Sequence, residues 1–93
     1  MKMIVTYADC KNHFDGSAKE NYNEETKTIT VTADKSGLFS YLYGKGISSS
    51  SAMGVATFAL KAGVETLRAN IEKQPESAEK QEILKAIELI KEA

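Results

Sequence analysis

Between Tyr41 and Gly63 the chain reads YLYGKGISSSSAMGVATFALKAG, and this is the stretch whose residue types could do chemistry. A Gly-Lys-Gly turn leads through four serines into a helix of small residues. The first amides of such a helix are free, the helix dipole is positive there, and serine hydroxyls add further donors. Together with a nearby lysine they make a place for a phosphate or a carboxylate. Lys45 would supply the charge, while Gly46, Ser48, Ser49, Ser50 and Ser51 would let a ligand reach the backbone. Just upstream, Tyr41 and Tyr43, with Phe39, could stack on a base or ring. A ligand that used both parts would carry a ring and a negative charge, which describes a nucleotide. Arg68, further along, could clamp a phosphate with its planar fork. Its competing role is an ion pair with Glu65 or Glu72 at helical spacing.

The turn is not a Walker A loop, because Gly46 follows Lys45 where Ser or Thr is needed, and Phe39 stands where glycine is needed. Locally, GKGISSSSA resembles the phosphate loop of the GHMP small-molecule kinases. Gly44, Gly46, Ser50, Ser51 and Ala52 match that loop's glycines, serines and alanine. The resemblance spans about a tenth of the chain and implies a similar way of wrapping phosphate, not the kinase fold or its catalytic parts. The plainer reading of the same residues is a flexible connection and a helix cap.

Cys10 and His13, flanked by Asp9 and Asp15, are the only soft ligands in the chain. A structural zinc site uses four ligands, and a nucleophilic pair needs an orienting group and an oxyanion site. No metal, no cofactor and no catalytic residue is therefore assigned. Glu24 and Glu25 fall in a turn and are expected to be solvated, whereas a catalytic carboxylate would need burial.

The elements that must position the loop follow from periodicity. Lys2 to Ala8 alternates as a strand, expected to be central, and Asp9 to Ser17 reads as a polar connection. Ala18 to Asn23 and Thr26 to Ala33 form a hairpin, with Ile29, Val31 and Ala33 on one face and threonines on the other. Asp34 to Gly37 has the chemistry of a tight turn, and Leu38 to Tyr43 is expected as the returning strand. A long helix starts among Ser48 to Ser51 and runs to Gln74; Pro75 then opens a last helix to Lys91, with Glu76 and Lys80 paired at a spacing of four. The expected architecture is a single α+β domain over residues 1–93. It has a small antiparallel β-meander of three to four strands and two C-terminal helices packed on one face. The exposed second face of that sheet, and helices that outreach its strands, suggest a homodimer or higher oligomer.

Composition narrows the function. A formal net charge of −1, with eleven lysines among the twelve basic residues, gives no field for nucleic acid or an anionic membrane. A single cysteine, an N-terminus too polar after Val5 for a secretory signal and no long apolar run point to the cytoplasm. The expectation is a non-enzymatic protein that binds or sequesters a small anionic ligand, plausibly a nucleotide, through Tyr41, Tyr43, Lys45, the serine turn and Arg68. The alternative is a protein–protein interaction module, such as a small virus-encoded inhibitor, acting through a sheet face or edge.

Overall fold

The computed structural model describes residues Met1–Ala93. In chain order the elements are β1 (Lys2–Thr6), α1 (Tyr7–His13), β2 (Lys19–Asn23), β3 (Thr28–Thr32), α2 (Lys35–Gly44), α3 (Ser49–Ala62), α4 (Val64–Glu72) and α5 (Ala78–Leu89). The fold is α+β, with one antiparallel three-stranded sheet in the order β1-β3-β2.

β3 holds the centre because its alternation is the cleanest in the chain. Ile29 and Val31 face the helices opposite Val5 and Met3 of β1, while Thr28, Thr30 and Thr32 take the other face opposite Thr6, Ile4 and Lys2, with Thr30 itself buried there. The expected meander is corrected here: α1 carries the chain from β1 past β3, so β1 is an edge and not the central strand. That edge is closed by the C-terminal residues. The Ile4 N–H donates to the Lys91 carbonyl at 2.8 Å, the Ala93 N–H donates to the Lys2 carbonyl at 3.1 Å, and Met3 lies opposite Glu92. β2, the other edge, has no such cover; all its residues are exposed, and its pairing with β3 is irregular between Glu20 and Asn23, where Asn21 has φ 54°.

Helix replaces loop and strand in two places. Asp9 to Ser17, expected as a connection, begins inside α1, because the Thr6 hydroxyl accepts the Asp9 N–H at 3.0 Å as an N-cap while Cys10 and Phe14, four apart, are both buried. Leu38 to Tyr43, expected as the returning strand, lies in α2. Asp34 does not open a turn; it caps the helix by accepting the Gly37 N–H at 2.7 Å. Leu38, Tyr41 and Leu42 then bury one helical face.

The expected long helix is divided at Gly63, whose φ of 94° and ψ of 154° end α3 and restart the chain as α4. That conformation suits glycine. The last helix begins at Ala78, not Pro75, because the Ser77 hydroxyl accepts the Lys80 N–H at 3.0 Å. Lys80 does not pair with Glu76; its ammonium donates to the carbonyls of Gln74 at 2.9 Å and Glu72 at 3.4 Å, closing the C-terminus of α4. One continuous apolar core joins the inner sheet face to all five helices.

Candidate functional site

The residues that the sequence places in one pocket go to four different places. Lys45 ends α2 and turns to α1: its Nζ lies 3.1 Å from Asp9 Oδ2 and 5.5 Å from the centre of the Tyr41 ring. Tyr41 is buried, and its hydroxyl donates to the Leu89 carbonyl at 2.9 Å. Burial raises its pKa above the ordinary 10.0; the Asp9 charge adds to this and Lys45 opposes it. Tyr43, by contrast, is exposed and stacks on Phe39 at 5.7 Å. On a strand Tyr41 and Tyr43 would share a face, but two residues apart on a helix they diverge. The two tyrosines therefore do not line one ring-binding surface.

Downstream of Lys45, Gly46 has φ 97° and Ile47 is buried, its N–H donating to the Leu42 carbonyl at 3.2 Å. Ser48 caps α3 with its backbone rather than its side chain. Its N–H donates to Glu82 Oε1 of α5 at 2.6 Å, so the positive end of α3 is met by a carboxylate of the protein itself. Hydrogen bonding from Ser48, hydroxyl first and then backbone N–H, holds the Glu82 carboxyl below its ordinary value of 4.5; desolvation opposes this and Lys85 assists it. Ser49 is exposed, while Ser50 and Ser51 line a depression with Glu79 and Glu82. An anion placed there meets two carboxylates and no lysine. Arg68 stands apart from the turn in α4, its Nη1 3.2 Å from Glu88 Oε1 and its Nε 3.9 Å from Glu65 Oε1, which is the ion-pair role.

A second constellation lies where α1 meets α2. His13 Nδ1 is 2.7 Å from Ser40 Oγ, and the ring stands edge-on to Tyr41 at 6.0 Å. Gly44 lets the ring in: a Cβ there would come 3.0 Å from His13 Cε1 and 3.2 Å from Nε2. A histidine on a serine hydroxyl is the contact of a base with a nucleophile, but Asp9, the carboxylate four residues before His13, is committed to Lys45. What the arrangement does is fasten α1 to α2. Cys10, the sequence neighbour of His13, lies in the core instead. The signal for this junction was Asp9 and His13 at a spacing of four facing Ser40 and Gly44 at the same spacing, visible only once both segments are read as helices.

A groove runs between α3, α4 and α5. One hollow, about 200 Å³, is lined by Val55, Phe58, Leu67 and Ile83 together with Ser50, Ser51, Gly54 and Glu79; a second, of about 210 Å³, shares Glu79 and Ile83 with it and extends to Ile71. Sequence reading reached only the two serines. No helix is long and apolar enough to cross a membrane.

Comparison of the chain with protein-family models, with curated proteins and with solved structures gives no match.

Proposed function

We propose that the protein is a protein–protein interaction module that docks through the β2 edge of its sheet and the aromatic pair that β2 shares with α1. The difference between the two sheet edges carries this reading. The β1 edge is hydrogen-bonded to the C-terminal residues, whereas β2 is exposed along its whole length. On β2 itself, Tyr22 meets Tyr7 of α1 edge-to-face at 5.7 Å, the two remaining 50% and 56% exposed. Tyrosines of this kind anchor interfaces, and an open edge offers backbone donors and acceptors to an added strand. Lys19, Glu20 and the irregular pairing at Asn21 restrict which strand can add, which guards the edge against indiscriminate pairing. A second copy of the chain is one partner such an edge admits.

Capture of a small anion, such as a nucleotide, at the serine turn draws less support from the same geometry, because Glu82 meets the turn and Lys45 is held by Asp9. A photo-crosslinking residue at position 22, compared with one at the equally exposed Tyr43, separates the readings. Adducts of defined mass from position 22 alone are expected. Equal adducts from both positions, or none from position 22, would defeat the proposal. A phosphorylated metabolite released on denaturing the purified protein would return the function to the serine turn.

A further inference from the structure

The groove between α3, α4 and α5 involves none of the residues of the β2 edge, and the argument from it does not rest on the docking role of that edge. Gly54 borders the opening of the groove at an exposed position of α3, where an added Cβ would meet nothing within 4 Å. Below that opening, Phe58 and Ile83 are half-buried and Leu67 is buried, so the floor is apolar and reachable.

Size limits what can enter. Each of the two hollows, about 200 Å³ and about 210 Å³, is smaller than the ~300–1,000 Å³ of ordinary small-molecule sites and has the scale of one long side chain. Charge selects among such groups. Glu79 borders both hollows of the groove and the depression at the serine turn, where Glu82 joins it. Glu79, Glu82 and Ile83 are spaced three and four apart on α5, so the two carboxylates and the apolar wall share one side of that helix. The only cation bordering these hollows is Lys80, and its ammonium is held by the carbonyls of Glu72 and Gln74. The groove thus offers an apolar slot with negative charge at its mouth and serine hydroxyls alongside. An aliphatic stem ending in a cation complements both parts, whereas an anion or a wholly apolar group satisfies at most one.

We infer that this groove is a docking slot for a lysine or arginine side chain presented by a protein partner, with the stem over Phe58, Leu67 and Ile83 and the head at Glu79.

The test is a titration of the full chain, followed by amide NMR, with the capped tripeptide acetyl-Ala-Arg-Ala-amide. The control peptide carries citrulline, which has the same shape without the charge. Saturable shifts are expected at Gly54, Phe58, Glu79 and Ile83, with binding of the citrulline peptide weaker by about two- to fivefold, the scale of one exposed ion pair. Gly54→Met should fill the slot and abolish the shifts while the rest of the spectrum keeps its dispersion. Glu79→Gln, at an exposed position, should reduce affinity for the arginine peptide to that for the citrulline peptide, and so serves as an independent check should the methionine variant fail to fold. Equal binding of the two peptides, shifts outside the groove, indifference to both substitutions, or no shift at any peptide concentration would overturn the inference. Shifts of the same amides on dilution without peptide would also overturn it, assigning the groove to a second copy of the chain.

Discussion

Two helical glycines mark two different halves of this molecule. At Gly37 of α2 an added Cβ would come 2.9 Å from Phe14 Cδ1, 3.0 Å from Asp34 Oδ1 and 3.1 Å from the His13 carbonyl. At Gly54 of α3 it would meet nothing within 4 Å. Upstream of Ile47, Gly37 and Gly44 let α1 lie against α2, Asp9 is matched with Lys45 and His13 with Ser40, and the Tyr41 hydroxyl donates to the Leu89 carbonyl of α5. Downstream, Gly54 stands at an exposed helix position on the border of a hollow. One half is a closed junction and the other a surface, and the difference indicates where substitutions report on folding and where they report on binding.

The largest expected effect lies in the closed half. Gly37→Ala gains under about 1 kcal/mol of helix propensity. Overpacking against a backbone carbonyl and a capping carboxylate costs about 1–3 kcal/mol, so the variant should be less stable by denaturant unfolding. A variant as stable as the parent would mean that α1 and α2 are not in close contact. Tyr41→Phe comes next. It leaves the part-buried Leu89 carbonyl without its donor and should cost about 0.5–1.5 kcal/mol, again read by unfolding. In the open half the sign reverses: Gly54→Ala should stabilise by about 0.5–1 kcal/mol, since the helix gains and no neighbour objects. Loss of stability there would show that the groove is occupied by the chain's own side chains, and the contrast between the two glycines would fail.

Much of the fold was legible where local pattern and tertiary role agree. β3 is the clear case, because strict alternation of Ile29 and Val31 with threonines has one packing solution. α2 was not legible, for a physical reason. Asp34 followed by Gly37 has the same chemistry in a tight turn and in a helix N-cap, since in both an aspartate oxygen accepts an amide three residues on. Phe39, Tyr41 and Tyr43 alternate like a strand, and only the burial of Leu38, Tyr41 and Leu42 together shows that the helical period governs. Closure of the β1 edge by residues 91–93 depends on contacts across the whole chain and leaves no local signature. The serine turn was half legible: its position at a helix start is correct, but the approach of Glu82 from α5, which sets the local charge, comes from far along the sequence.

That carboxylate provides the smallest and sharpest of the tests. Glu82 is hydrogen-bonded in the folded protein and titrates below its ordinary value of 4.5. A carboxyl whose folded pKa is depressed stabilises the native state above its unfolded pKa, and the contribution is lost as pH falls through the folded one. Side-chain NMR should therefore find the Glu82 midpoint below 4.5, and Ser48→Ala, which removes the hydroxyl, should move it upward. A midpoint at the ordinary value in both proteins would mean that Glu82 does not engage the first turn of α3. The positive end of that helix would then stand open, the Glu82 charge would lose its fixed partner, and an anionic ligand at Ser48 to Ser51 would again be the better reading of this half of the molecule.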